Sequence, residues 1–230
     1  MKKYLVVDDN RAFAENLAEI LRDQGAEVTV ASTGREALEL ARSTRFDGLV
    51  TDMRMPVMSG AHLVHEIRRI DPELPAIVVT AYTGEDDLLA ARQEGLLAVL
   101  PKPAPLQRLV ELLGAARRNG LVALVEDDSA FADNLAEALR DRGFSAVTAR
   151  SVGETERLGG VRPFAALVDL RMPGAPDGAA LSRLMERFPG LPVLVVSGYQ
   201  DAIEHAPGLP CFTKPVNPGM LLEAVEKLWR

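Results

Sequence analysis

The sequence predicts an α/β protein made of two consecutive (βα)5 domains, each a doubly wound parallel sheet. Three observations predict it. The chain repeats itself once, short apolar runs alternate with amphipathic stretches, and acidic, hydroxyl and lysine residues recur where those runs end.

The repeat sets the domain organisation. Residues 5–17 read LVVDDNRAFAENL and residues 123–135 read ALVEDDSAFADNL, which lays Asp8 on Glu126, Asp9 on Asp127, Phe13 on Phe131 and Leu17 on Leu135. Asp52-Met53-Arg54-Met55-Pro56 then matches Asp169-Leu170-Arg171-Met172-Pro173. Val78-Val79-Thr80-Ala81-Tyr82 matches Val195-Val196-Ser197-Gly198-Tyr199, and Lys102-Pro103 matches Lys214-Pro215. Four blocks in the same order make a period of about 115 residues, a whole domain rather than a solenoid unit. The expected division is 1–118, a linker at 119–120, and 121–230. So short a tether implies a fixed or narrowly hinged pair of domains.

Within the first unit the apolar runs are Tyr4–Val7, Glu27–Ala31, Gly48–Thr51, Ala76–Thr80 and Leu97–Leu100. They are rich in β-branched residues and nearly unbroken, as strands covered on both faces should be. Phe13, Leu17, Ile20 and Leu21 share one face of a first helix. Gly34–Arg42, Ala61–Arg69, Glu85–Glu94 and Pro105–Arg118 supply four more helices, the last running to the domain boundary. Strand and helix in strict alternation require a parallel sheet with right-handed crossovers, and in such sheets a ligand site lies beyond the carboxyl ends of the strands.

That rule gathers the polar residues. Asp8 and Asp9 end the first strand, Asp52 ends the third, Thr80 ends the fourth and Lys102 follows the fifth. Three carboxylates beside one lysine need a compensating charge, and a hard divalent cation with oxygen ligands provides it; Mg²⁺ suits one or two carboxylates plus water, and Mn²⁺ can substitute. A carboxylate held there can attack a phosphoryl group to form an acyl phosphate, with Lys102 and the Thr80 hydroxyl on the phosphoryl oxygens.

The set Asp8/Asp9, Asp52, Thr80 and Lys102-Pro103 resembles the receiver domains of bacterial two-component signalling, as in the small chemotaxis response regulators. Met55-Pro56-Val57-Met58-Ser59-Gly60 resembles the loop that follows the phospho-acceptor in that family. The second unit matches with Glu126/Asp127, Asp169, Ser197 and Lys214-Pro215. The resemblance implies a flavodoxin-like fold and assigns roles. Asp52 and Asp169 would be phospho-acceptors. Asp9 and Asp127 would bind Mg²⁺ directly, Asp8 and Glu126 through water, and the backbone carbonyls of Arg54 and Arg171 would add a ligand. Thr80 and Ser197 would be switch hydroxyls, and Lys102 and Lys214 would hold the phosphoryl group. The donor would be a phosphohistidine on a sensor histidine kinase or a phosphotransfer protein.

The sequence departs from the family in places. Val99 and Cys211 stand where a swinging Tyr or Phe usually precedes the lysine, with Phe212 one residue away. Ser197 and Lys214 are closer in sequence than Thr80 and Lys102, so Asp201–Ala206 allows little more than one turn of a shortened fourth helix before Pro207. The loop Met172–Gly178 is one residue longer than its counterpart. Arg54, Arg171, Tyr82 and Tyr199 stand at positions which, the resemblance implies, shape the access of water and phosphatases to the acyl phosphate.

Other residues take plainer readings. His62 and His65 belong to a solvated helix face and His205 to the surface. Cys211 is a small buried apolar residue, Met53, Met55 and Met58 pack loop and core, and Trp229 packs the last helix. A second copy can decay into a scaffold, but all five side-chain types persist at Asp169's site, which favours competence.

Composition narrows the function. The 230 residues are 47% hydrophobic and 26% charged, with net charge −7 spread over both halves, so no basic face invites nucleic acid. The single cysteine excludes an internal disulfide, and the early carboxylates and absence of a long apolar run argue for a cytoplasmic protein without membrane contact. The expected function is a response regulator with no output domain after Arg230, signalling by phosphorylation-dependent binding of a downstream protein, with a homodimer as a further possible assembly. The alternatives are a phosphorelay intermediate or phosphate sink, and an adaptor with one unphosphorylated receiver. An enzyme is not expected: phospho-aspartate hydrolases need an acid where Arg54 and Arg171 stand, and only self-phosphorylation and self-dephosphorylation remain.

Overall fold

The computed structural model describes residues 1–81, 94–156, 158, 161–198 and 206–229. The chain divides into two compact units, Met1–Asn119 and Gly120–Arg230. In the first, the described elements are β1 (Lys3–Val7), α1 (Arg11–Asp23), β2 (Glu27–Ala31), α2 (Gly34–Ser43), β3 (Gly48–Asp52), α3 (Gly60–Ile70), β4 (Ala76–Thr80), β5 (Ala98–Pro101) and α4 (Leu106–Ala115). In the second they are β6 (Leu121–Val125), α5 (Ser129–Asp141), β7 (Ser145–Ala149), α6 (Val152–Thr155), β8 (Ala165–Asp169), α7 (Ala179–Arg187), β9 (Val193–Ser197), β10 (Cys211–Thr213) and α8 (Pro218–Trp229). The helix expected over Glu85–Glu94, the shortened helix expected over Asp201–Ala206, and Tyr82, Tyr199 and His205 lie wholly or almost wholly outside the described residues.

Each sheet is parallel throughout. The first has the order β2-β1-β3-β4-β5, and the second repeats it as β7-β6-β8-β9-β10. Alternate residues of β1 feed opposite cores: Leu5 and Val7 join Leu49, Val78 and the α3 residues Leu63 and Ile67, whereas Tyr4 and Val6 join Val50, Ile77 and the α1 and α4 residues Leu17, Leu21, Leu109 and Leu112. The second sheet divides its apolar residues in the same way. Every residue of β3, β4, β6, β8 and β9 is buried, which is why their sequences read as unbroken apolar runs.

Helix starts are set by side chains that satisfy otherwise orphaned N–H groups. Asn10 accepts from Phe13 N, Thr33 from Glu36 N, Ser59 from His62 N and Asp128 from Ala130 N and Phe131 N. Within α6 and α2 the two units differ: α2 runs for 10 residues and α6 for 4.

One helix end differs from its sequence pattern. The sequence pattern carries the last helix of the first unit to Arg118, but α4 stops at Ala115. Ala116 turns to an extended ψ of 131°, and the freed segment is held by tertiary bonds. The Lys2 ammonium donates to the carbonyls of Leu113, Gly114 and Ala116 at 3.1, 2.7 and 3.4 Å, and Arg118 donates to Phe46 O and to both Asp71 oxygens. Capping by Lys2 and the pull on Arg118 outweigh the helical propensity of two arginines.

Candidate functional site

Register brings the polar residues together. Val7 pairs with Thr51, so Asp8, just past β1, lies beside Asp52 at the end of β3. Asp52 pairs with Val79, and Thr80 with Pro101, so Lys102 leaves the sheet at the same edge. The Lys102 N–H donates to Thr80 O at 2.8 Å, and the Lys102–Pro103 peptide is cis. The Lys102 ammonium then bridges two acids, 2.6 Å from Asp8 Oδ2 and 2.9 Å from Asp52 Oδ1. It also lies 4.5 Å from the centroid of the Phe13 ring, a cation–π contact.

The acids are held by backbone donors as well. Asn10 N–H donates to Asp8 Oδ1 and Arg54 N–H to Asp52 Oδ2, each at 2.9 Å. Asp8, Asp52 and Thr80 are 2%, 7% and 2% exposed, whereas Asp9 is exposed. Gly60 permits this arrangement: its N–H donates to Met53 O at 2.8 Å, and a Cβ on it would stand 2.2 Å from Asp52 O.

The second unit repeats the geometry with a longer acid. Val125 pairs with Val168, placing Glu126 beside Asp169, and Thr213 pairs with Ser197, placing Lys214 next to both. Lys214 Nζ is 2.7 Å from each Glu126 oxygen and 2.7 Å from Asp169 Oδ2, and 4.9 Å from the Phe131 centroid. Arg171 N–H donates to Asp169 Oδ1 at 2.9 Å, and the Lys214–Pro215 peptide is also cis. The extra loop residue is absorbed by glycines at positive φ, Gly174 at 74° and Gly178 at 78°, the latter donating to Leu170 O as Gly60 does to Met53 O.

Burial works against the Lys102 ammonium, but hydrogen bonds and charge from Asp52 and Asp8 outweigh it and hold the pKa above the ordinary lysine value; Asp169 and Glu126 do the same for Lys214. Glu126 is pushed up by burial, with Asp169 adding and Lys214 opposing. Among the described residues, one group of three metal-ligating side chains converges within 4.8 Å: Glu126, Asp127 and Asp169. These are hard oxygen donors, and two of them already share the Lys214 ammonium, so the group fits a divalent cation such as Mg²⁺. The first unit has the same donor types at Asp8, Asp9 and Asp52.

The response regulator receiver domain family matches residues 4–114 and 122–226. The chain belongs to that family, twice over. It is a tandem receiver-domain response regulator with two flavodoxin-like sheets. A response regulator receiver protein of Anaeromyxobacter sp. (strain Fw109-5) is 65% identical over 230 residues, covering 100% of this chain and 96% of that protein. Response regulator MprA of Mycobacterium ulcerans (strain Agy99) is 32% identical over 215 residues, 90% of this chain and 91% of that protein. Among solved structures, a CheY-like receiver domain protein from Methanospirillum hungatei JF-1 is 28% identical with a TM-score of 0.48, covering 50% of this chain and 91% of its own. The chemotaxis protein CheY4 of Vibrio cholerae is 33% identical with a TM-score of 0.47, covering 50% of this chain and 97% of its own.

Several receiver residues take roles that the sequence pattern hid. Phe13 and Phe131 read as helix-face residues, yet each carries the site lysine; their recurrence in the same repeat block was the available signal. His65 is not simply solvated: its Nδ1 lies 3.3 Å from Glu94 Oε1. Cys211 is only partly buried, because β10 is a short edge strand, and its thiol donates to Leu209 O at 3.3 Å. Trp229 is 38% exposed and meets Phe144 edge-on at 6.3 Å. Met53 and Met55 are buried in the core and Met58 packs against it. No described helix is long and apolar enough to cross a membrane.

Proposed function

We propose that each receiver accepts a phosphoryl group on its strand-end aspartate, Asp52 in the first and Asp169 in the second. The donor is a phosphohistidine on a sensor histidine kinase or phosphotransfer protein, and the output is phosphorylation-dependent binding of a downstream protein. One observation carries this reading: in both receivers a buried aspartate shares a single lysine ammonium with a second buried acid at the same sheet edge. An Asp52 or Asp169 oxygen attacks phosphorus, the P–N bond of the phosphohistidine breaks, and its electron pair stays on the imidazole, which takes up a proton. Lys102 or Lys214 then turns from the second acid to the phosphoryl oxygens, and the strand-end hydroxyl of Thr80 or Ser197 reports the new charge to the sheet edge.

Asp8, Asp9, Asp52 and the Arg54 carbonyl would hold Mg²⁺ in the first receiver, and Glu126, Asp127, Asp169 and the Arg171 carbonyl in the second. When bound, the cation neutralises charge on the carboxylates and the phosphoryl group. The chain's own chemistry is self-phosphorylation and self-dephosphorylation, without turnover of an outside metabolite. Arg54 and Arg171, standing where a phospho-aspartate hydrolase needs an acid, support that reading.

Intact mass after incubation with acetyl phosphate and Mg²⁺ tests it. The wild type should gain two phosphoryl groups, and Asp52→Ala and Asp169→Ala one each. No gain with any of the three, together with failure to bind beryllofluoride, would remove the proposal.

A further inference from the structure

We propose that Asp177 is a positioning residue for the phosphoryl group on Asp169: it holds the Arg171 guanidinium on the β8–α7 loop and thereby shortens the lifetime of the acyl phosphate. The inference rests on the proposed phosphorylation of Asp169.

Arg171 is rooted at the acceptor, since its backbone N–H donates to Asp169 Oδ1 at 2.9 Å. In its side chain, Nε donates to Asp177 Oδ2 at 3.2 Å. The loop geometry produces that pair. Gly178 N–H reaches back to Leu170 O at 2.8 Å, so the loop closes on itself and carries Asp177 round to Arg171. Gly178 itself takes the N-cap of α7 at φ 78° with no side-chain cap bond, which leaves the Asp177 carboxylate to the arginine.

The first receiver is built differently at this point. Gly60 makes the corresponding bond to Met53 O, and the residue before it is Ser59, whose neutral hydroxyl caps α3 by accepting from His62 N at 3.2 Å. A serine hydroxyl cannot pair with a guanidinium as a carboxylate does, so the position that carries the acid in the longer loop of the second receiver carries a neutral side chain in the first.

Charge decides what phosphorylation does. The side chains of Arg171 and Asp177 are 44% and 33% exposed, and an ion pair in that setting is weak. A phosphoryl group brings up to two negative charges and three acceptor oxygens, and a guanidinium suits them well. Asp177 therefore competes with the phosphoryl group for the Arg171 guanidinium. While the guanidinium lies on the phosphoryl oxygens it screens phosphorus from water. Hydrolysis needs that approach: the water oxygen bonds to phosphorus, the P–O bond to Asp169 breaks with its electron pair left on the carboxylate, one of the water's protons stays on the inorganic phosphate and the other passes to solvent.

The test uses the full chain with Asp52→Ala, so that the only expected acyl phosphate is on Asp169. The protein is loaded with acetyl phosphate and Mg²⁺, the donor is removed, and decay is followed by intact mass. Asp177→Asn should lengthen the half-life about threefold, the scale set by a weak exposed pair. Asp177→Glu, which keeps the carboxylate, should return it to the starting value. In an Arg171→Ala background Asp177→Asn should change nothing, and decay at Asp52 in an Asp169→Ala chain should be indifferent to Asp177. A phosphorylated Asp169 whose decay ignores Asp177→Asn, or responds equally without Arg171, overturns this inference alone. No phosphoryl group on Asp169 at the outset overturns it together with the function it rests on.

Discussion

Lys102 shows what a single residue does in these sites. Its ammonium stands between Asp8 and Asp52, two carboxylates that are 2% and 7% exposed and would otherwise face each other. Removing one member of such a set leaves uncompensated buried charge, so Lys102→Met should cost about 1–3 kcal/mol at neutral pH. Its pKa is held above the ordinary 10.5, against burial, by Asp52 and Asp8, and that of Lys214 likewise by Asp169 and Glu126. The folded state binds these protons more tightly than the unfolded chain, so the stabilisation is complete below 10.5 and is lost as pH rises through the folded values. Tyr4 adds to the same slope: burial, then the Asp47 charge, push its phenol up to about 12 from 10.0, and the neutral hydroxyl donates to Leu113 O at 3.1 Å. Urea midpoints measured from pH 8 upward should therefore fall above about pH 10, and Lys102→Met should flatten part of that fall. The acids and the lysines were legible in the sequence because a charged residue at the end of a buried strand has few plain explanations. Phe13 and Phe131 were not, because an aromatic on an amphipathic helix reads the same whether its ring meets the core or an ammonium.

The connection from β3 to α3 is where the element scale decides function, and two of its residues pull in opposite directions. Gly60 has no spare room: a Cβ there would meet Asp52 O at 2.2 Å. Gly60→Ala must move the acceptor's own backbone, so it should cost on the order of 2 kcal/mol and also impair phosphorylation at Asp52. Val57, three residues earlier, is a β-branched residue at φ 71° with its side chain fully in solvent. That conformation is strained for valine and easy for glycine, so Val57→Gly should stabilise the receiver by about 1 kcal/mol. Thermal or urea unfolding of the two variants checks both signs; destabilisation by Val57→Gly would show that the loop needs the valine side chain after all. Strands such as β3 and β4 were legible because both faces are buried and the apolar run is continuous. The end of α4 was not, because Arg117 and Arg118 are good helix formers by type, and the contacts that end the helix come from Lys2, Phe46 and Asp71, far away in sequence.

At the scale of the whole molecule, the first receiver holds everything a folding unit requires within Met1–Asn119: a five-stranded sheet, a core on each face, and the set of Asp8, Asp9, Asp52, Thr80 and Lys102. The repeat in the sequence pointed to this, since a whole set of site residues recurs with each period. What the repeat did not reveal is how the unit closes. Arg118 is 17% exposed at its side chain, lies 2.7 Å from Asp71 Oδ1 and 3.6 Å from Glu73 Oε2, and donates to Phe46 O. The next residue, Asn119, donates its N–H to Glu73 O at 3.0 Å and turns at φ 53°. These contacts tie the β3 and β4 approaches to the exit of the chain. A polypeptide of residues 1–119 should accordingly fold on its own, unfold in one cooperative transition and take up a single phosphoryl group. Arg118→Ala in that polypeptide should lower its stability by about 1–3 kcal/mol, because it strips a largely buried carboxylate and a backbone carbonyl of their donor. Denaturant unfolding by circular dichroism measures both expectations. A residue 1–119 polypeptide without a cooperative transition would mean that the receiver depends on chain beyond Asn119, and an unchanged midpoint in Arg118→Ala would mean that the exit is held by Lys2, Tyr4 and the Asn119 backbone alone.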